Sequence, residues 1–152
     1  MRQTTIHEAP LLRTRDPLGE AVRTLARSGL PALPVVDEEG RIAGVFGERE
    51  LIKAAMPGYV GTLSSAGFVR RSLDEALEAR SACVHEPIAQ HMNTEHVELP
   101  ADPSDLQIAE TFLHHRVLVL PVVDREQRVQ GVVLRADFFR EVAERVLGEP
   151  LG

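Results

Sequence analysis

One apolar pentapeptide, Leu-Pro-Val-Val-Asp, occurs twice in this chain, at residues 33–37 and, 87 positions later, at residues 120–124. The following residues also match, because GRIAGVFGEREL after the first copy corresponds to QRVQGVVLRADF after the second. The chain has 152 residues, and a lone unit of roughly 50 residues would bury only about 60% of its unfolded surface. Each copy alone would be marginally stable, so we expect the two copies to complete one another's core.

The first copy has the pattern of a helix, a hairpin and a second helix. Asp16 is expected to cap a helix that begins at Pro17, and apolar residues recur at helical spacing over residues 18–26. Gly29 suits the left-handed position that ends a helix. The remaining elements are a buried strand at residues 33–36, a turn at 37–40 in which Gly40 supplies positive φ, a return strand at 41–46 and a helix at 48–55.

The second copy follows the same order. Ser104 and Gln107 form a capping box at the start of its first helix. Gln127 stands where the first turn has Gly40, and a left-handed non-glycine residue costs about 1–2 kcal/mol, so we predict a different geometry for this turn. Its strands are predicted at residues 120–123 and 128–133, and its two apolar stripes are Leu106, Ala109, Phe112 and Leu113, then Phe138, Val142, Val146 and Leu147.

Short leading strands at residues 11–14 and 96–100 would give each copy the order β-α-β-β-α. The strand–helix–strand crossover should be right-handed, with a hairpin appended. One such sheet leaves surfaces uncovered that the other copy can cover, so we predict an α/β fold with two motifs related by a pseudo-two-fold axis. The predicted organisation is a first motif at 1–56, a helical connector at 57–92 with a helix beginning at Ser72, and a second motif at 93–152.

Charge and hydropathy argue against several classes of partner. The net charge is −6 and Lys53 is the only lysine, whereas binding to a phosphate backbone requires concentrated positive charge, so no nucleic-acid partner is expected. The longest apolar run, residues 117–123, is far shorter than the ~20 residues that span a bilayer, and no secretory leader is evident. A single cysteine, Cys83, permits no internal disulfide, which favours a cytoplasmic location.

The two stretches GLPALPVVDEEGRIAGVFGERELI and RVLVLPVVDREQRVQGVVLRADFF resemble CBS domains, which occur as tandem pairs called Bateman modules. The resemblance covers about two-thirds of the chain, counting the leading strands. It implies a stand-alone regulatory module that senses an adenosyl compound in the cleft between the repeats, such as AMP, ADP, ATP, S-adenosylmethionine or NADH. It also implies a homodimer, which exposed helix stripes would favour, and an unidentified protein partner. The alternative is a ligand-free dimerisation or interaction module on the same scaffold.

The resemblance also indicates the site, through the family stretch Gly-x-x-Thr/Ser-x-x-Asp. In the second copy Gly131 and Asp137 match, but Leu134 replaces the hydroxyl residue. The family role of this Asp is to accept hydrogen bonds from the ribose diol, and bonds to an ionised acceptor are strong. In the first copy Gly44 matches and Glu50 replaces the Asp, so we expect a ligand to prefer the second copy.

Other residues are candidate ligand contacts with an open structural alternative. Arg135, with Arg49 and Arg116, could meet phosphate charge. Gly44 and Gly131 also fit a role in which a strand passes close to a helix, and Asp137 also fits a helix cap. The remaining candidates are Leu33, Pro34, Phe46, Leu120, Pro121 and Val133. Of these, Leu33, Phe46, Leu120 and Val133 fit the core better than a purine contact, although one residue can serve both roles.

Neither catalysis nor metal binding is expected. The chain contains no nucleophile elbow, phosphate-binding loop or His-Glu-x-x-His motif. Histidines at 85, 91 and 96 lie near Cys83 but do not have zinc-ligand spacing. His114 and His115 are adjacent in a helix and therefore point about 100° apart. We predict a protein that is not an enzyme and holds no metal.

Overall fold

The structure, a computed structural model, describes residues 5–56, Glu75 and residues 81–152. The connector helix expected to begin at Ser72 lies outside the described residues, apart from Glu75, which is helical. The first repeat comprises β1 (Leu12–Arg13), α1 (Leu18–Ser28), β2 (Ala32–Val36), β3 (Ile42–Gly47) and α2 (Glu48–Ala55). After the 3-10 helices Ser81–His85 and Ile88–Gln90, the second comprises β4 (Leu99–Pro100), α3 (Asp105–His114), β5 (Val119–Val123), β6 (Val129–Leu134) and α4 (Arg135–Leu147).

The two repeats have the same sheet topology and register. Each has a parallel pair followed by an antiparallel hairpin, in the orders β1-β2-β3 and β4-β5-β6. Leu12 pairs with Val35, and 87 residues later Leu99 pairs with Val122. A bulge follows Val35 in one hairpin and Val122 in the other. The predicted β-α-β-β-α order of each motif is confirmed.

Both faces of the central strands β2 and β5 are buried, which explains their unbroken apolar sequences. Leu33 and Val35 point into a core formed with α1, and Phe46 of β3 completes it. Successive side chains on a strand point to opposite faces, so Pro34 and Val36 are buried on the other side, where β2 contacts β5. Each sheet therefore packs on its own helices and on the other repeat.

Asp16 does not cap α1, contrary to the prediction. Pro17 occupies the N-cap position and no side chain caps the helix. The carboxylate of Asp16 instead accepts from the backbone N–H of Arg13, at 2.9 Å. The first helical N–H, that of Leu18, donates to the carbonyl of Glu86 at 2.7 Å, so the segment before the second motif supplies the missing cap.

Gln127 adopts the left-handed conformation, so the prediction of a different second turn is wrong. Its φ is 66°, close to the 83° of Gly40 in the first turn. The side chain of Asp124 accepts from the backbone N–H of Glu126 and Arg128, at 2.8 and 3.0 Å. The carbonyl of Gln127 also accepts from the N–H of Ile42 in the other repeat, at 2.8 Å. These bonds offset the cost of the left-handed residue.

The apolar stripe predicted on α3 is only partly in the core. Ile108 is buried, whereas Leu106 and Leu113 are 77% and 82% exposed. On α4, Phe138 packs on Phe112 with ring centroids 5.7 Å apart. We call the exposed residues of these helices the outer stripes: Leu106 and Leu113 on α3, and Phe139, Val142, Val146 and Leu147 on α4. Within the described residues, no helix has the length and apolar character needed to cross a membrane.

Candidate functional site

The segments that lead into the two repeats cross over and pair with the opposite repeat. His7, ahead of β1, exchanges backbone hydrogen bonds of 2.8 and 2.9 Å with Val132 of β6. Asn93, ahead of β4, exchanges bonds of 2.8 and 3.0 Å with Val45 of β3. Each leading segment therefore extends the sheet of the other repeat by one short antiparallel bridge. This reciprocal exchange is what a pseudo-two-fold relation between the repeats requires.

The crossing segments explain why glycine stands at both positions predicted to approach a ligand. A Cβ on Gly131 would lie 2.6 Å from the carbonyl oxygen of His7 and 2.7 Å from Cγ2 of Ile6. A Cβ on Gly44 would lie 2.7 Å from the carbonyl oxygen of Asn93. The close neighbour of each glycine is thus the leading segment of the other repeat. The alternative expectation, that these glycines let a strand pass close to a helix, is wrong.

We expect Gly131→Ala to lower the free energy of unfolding by about 1–3 kcal/mol, the usual cost of overpacking. The new methyl group would push against the backbone at His7, which cannot rotate away. Urea denaturation measures the loss, and deletion of residues 1–9 provides the control through a double-mutant cycle. The substitution should cost less in the truncated chain, where only the strain of a non-glycine residue at φ 159° remains. An equal cost in both backgrounds would contradict a clash with His7 as the cause.

Asp137 makes no capping hydrogen bond, although it lies in the first turn of α4, where a carboxylate is favoured. Leu134 is the N-cap residue of α4 and no side chain caps that helix. The Asp137 carboxylate instead contacts Nε2 of His7, across the boundary between the repeats. An ionised carboxylate only accepts hydrogen bonds, so the Nε2–H of His7 is the donor. Both side chains are about two-fifths exposed, at 39% and 38%, so solvent and ligands can reach the carboxylate.

Glu50, the equivalent carboxylate of the first repeat, is already engaged. Its Oε1 accepts from the backbone N–H of Gly47, at 3.0 Å, and so holds the first turn of α2. Gly47 is itself tightly packed, because a Cβ there would lie 2.5 Å from the carbonyl oxygen of Pro31 and 2.6 Å from Cβ of Ala32. The first repeat therefore has no space for the family's hydroxyl residue, whereas the second accommodates the side chain of Leu134.

The apolar site candidates lie in the interior. Four of them are fully buried in the two cores, namely Leu33, Phe46, Leu120 and Val133. Pro34 and Pro121 are also buried, and Arg135 is exposed at the first position of α4. Arg135 and Asp137 thus follow the end of β6 directly, and Gly131 lies three residues before that end. Sequence reasoning missed His7, because only the crossing brings it to a carboxylate 130 positions away.

Two histidines ahead of β4 make local contacts. His91 pairs with Glu86 at 3.0 Å, and His96 pairs with Glu98 at 2.9 Å. Among the residues that the structure describes, no three His, Cys, Asp or Glu side chains are grouped as metal ligands. A shallow cavity of about 290 Å³ lies between β4 and α3. It shares no residue with the site at the end of β6.

The fold and the residues that follow β6 together define a paired α/β module of two related repeats, the second of which keeps a part-exposed carboxylate. The family model for the CBS domain matches this chain twice, at residues 5–57 and 88–144. The two matches cover most of the chain and coincide with the two repeats. The chain therefore belongs to the CBS-domain family and contains a tandem CBS pair, which is a regulatory module.

Known proteins resemble parts of the chain or its fold. Inosine-5'-monophosphate dehydrogenase of Streptococcus pyogenes is 42% identical over 52 residues, which are 34% of this chain and 10% of the enzyme. The uncharacterized protein MJ1225 of Methanocaldococcus jannaschii is 25% identical over 126 residues, 83% of this chain and 41% of that protein. The chain thus spans only about a tenth and two-fifths of these relatives.

Solved structures share the fold at low sequence identity. The crystal structure of MJ1225 has a TM-score of 0.72 at 18% identity, covering 93% of this chain and 49% of that chain. The structure of CBSX2 in complex with AMP has a TM-score of 0.67 at 16% identity and covers 94% of both chains. These similarities support the architecture of a CBS pair.

Proposed function

We propose that this CBS pair binds an adenosyl compound at the end of β6, where Asp137 accepts hydrogen bonds from the ribose diol, and that binding is signalled to a separate protein. The observation that carries the proposal is the accessible carboxylate of Asp137, which is not used as a helix cap. The other carboxylate, on Glu50, is committed to Gly47. The proposal assigns binding and regulation to the chain, without catalysis.

The similarity to CBSX2, whose structure contains AMP, supports an adenosine compound over other ligand classes. The ribose contact has a clear chemical basis, because a vicinal diol offers two O–H donors and a carboxylate offers two acceptor oxygens. Bonds to an ionised acceptor are roughly twice as strong as neutral ones. Neither repeat offers a hydroxyl for phosphate, since Gly47 and Leu134 occupy those positions, so adenine and ribose should dominate binding.

We therefore expect adenosine, AMP, ATP and S-adenosylmethionine to bind with similar affinity, within about threefold. Calorimetric titrations at 50 and 300 mM salt provide the test, with 2'-deoxyadenosine as a control that lacks half of the diol. Salt should change the affinity only slightly, because few phosphate charges are neutralised. A strong preference for ATP that disappears at high salt would show that phosphate contacts dominate and would contradict this account.

The outer stripes support a second candidate function, that of a dimerisation or interaction module without a ligand. In the first repeat, the 3-10 helix Ser81–His85 packs on α1, whereas Ile52 of α2, at the position equivalent to Phe139, is 54% exposed. In the second repeat, Leu113, Phe139 and Val146 are 70–82% exposed. Contiguous exposed apolar surface commonly marks an interaction site. A second copy of this chain is the expected occupant, as in the homodimers typical of the family.

We expect the protein to be a dimer at micromolar concentration and Val146→Glu to convert it to a monomer, because burying the new charge in an apolar contact is costly. Light scattering at several concentrations measures the mass. The matched control is Leu118→Glu, which places the same charge at another exposed apolar position, outside the outer stripes. A wild-type monomer, or a Val146→Glu dimer of unchanged affinity, would contradict the prediction.

A further inference from the structure

We propose that the leading segment, residues 5–9, is an autoinhibitory strap over the site at the end of β6, and that His7 is the group a ligand must displace from Asp137. The inference rests on the proposed function, because it concerns the regulation of the same site. The side chains in question are His7, from the start of the first repeat, and Asp137, near the N-terminus of α4 in the second.

The position of His7 is fixed by its own backbone. Its N–H and carbonyl are both bonded to Val132, at 2.8 and 2.9 Å, and Gly131 lets the segment lie directly on β6. The imidazole is therefore held beside Asp137 and occupies Oδ2 of its carboxylate. A ribose diol that donates to both carboxylate oxygens must compete with this contact. The ligand-free protein thus has an internal occupant at the ribose acceptor.

The strap is specific to the second repeat. Asn93 has the corresponding position in the other leading segment, where it pairs with Val45. Its side-chain oxygen accepts from the backbone N–H of Glu95 at 2.9 Å, while Glu50 accepts from Gly47. The two crossings share a backbone geometry, but only the one at His7 places a side chain on a site carboxylate.

The strap also connects the ligand site to the first repeat. Beyond His7 the chain continues into Ala9, which packs against the first core, and Leu12, which is buried within it. Displacement of the imidazole by a ligand would loosen a segment attached to that core. Occupancy of a site in the second repeat would then be transmitted to the first, which gives the module a physical route for its signal.

His7→Ala tests the strap through adenosine affinity measured by calorimetry. We expect the variant to bind adenosine about two- to fivefold more tightly than the wild type, the range for removing one part-exposed charge-assisted contact. The matched control is Glu8→Gln, an exposed neighbour whose side chain points to the opposite face of the segment. The control should bind as the wild type does.

A second measurement needs no ligand. The ring resonances of His7 should shift in Asp137→Asn if the contact exists in solution, and unchanged resonances would overturn the strap. If the wild type and His7→Ala both bind adenosine, and His7→Ala binds it with equal or weaker affinity, the strap is overturned while the proposed function stands. If neither the wild type nor His7→Ala binds adenosine, the proposed function and the strap are both overturned. This holds even when the ring resonances of His7 shift in Asp137→Asn.

Discussion

Phe46→Ala is expected to lower the free energy of unfolding by about 3–5 kcal/mol, the usual cost of truncating a buried aromatic residue. Phe46 is fully buried in the first core. It lies on β3 opposite Leu33 of β2, and these residues pack together with α1. The substitution would leave a cavity between the sheet and its helix that the surrounding backbone cannot fill. Urea denaturation at one fixed protein concentration measures the loss.

The outcome also tests the core role of Phe46, one of the two roles, core residue and purine contact, that the sequence left open for this side chain. Leu118→Ala is the control, because Leu118 is also a large apolar residue but is 52% exposed. Its replacement should change stability by about 0.5 kcal/mol or less. A Phe46→Ala protein of wild-type stability would show that this side chain is not part of the core.

Asp137→Ala is expected to weaken adenosine binding by about 1.5–3 kcal/mol, or about 10- to 150-fold, the range for hydrogen bonds to a charged group. The substitution removes the proposed ribose acceptor, and it leaves the start of α4 without a side-chain cap, as it already is. Stability should fall by no more than about 1–2 kcal/mol, because the contact between Asp137 and His7 is partly exposed to solvent and weak. A carboxylate in the first turn of a helix adds at most about 1 kcal/mol. Calorimetry gives the affinity and urea denaturation the stability.

Glu50→Gln is the matched control in the first repeat. The amide oxygen of Gln can still accept from the N–H of Gly47, so the helix cap is kept while the charge is removed. Adenosine affinity should stay within about twofold of the wild type. Equal losses in Asp137→Ala and Glu50→Gln would mean that both repeats bind adenosine. Unchanged adenosine affinity in Asp137→Ala would show that Asp137 does not bind the ribose and contacts only His7.

Local sequence patterns were sufficient to predict the repeats, the hairpins and the helix order. Apolar runs at residues 33–36 and 120–123 indicated short buried strands, and the structure has strands there that are buried on both faces. The fit of Gly131 and Asp137 to the family stretch indicated one end of β6. These features depend on residues close in sequence, where periodicity and turn chemistry are informative.

The features that sequence reasoning missed depend on contacts between distant residues. Leu106 and Ile108 both fit helical spacing, and only packing against β5 and β6 determines that Ile108 is buried. Gln127 adopts the left-handed conformation, which its residue type disfavours. The backbone N–H of Ile42 in the other repeat donates to its carbonyl and stabilises that conformation. The crossing of the leading segments left one trace in the sequence, a glycine at the same position of each return strand.

The central claim is that an adenosyl ligand binds once per chain, at the end of β6. The most direct test is a titration of the ¹⁵N-labelled protein with adenosine, followed by amide correlation spectra. We predict saturable changes at Gly131, at residues 134–137 and at His7, with a stoichiometry of one and little change from Gly44 to Glu50. Equal changes at both return strands, or no change at any adenosine concentration, would contradict the claim.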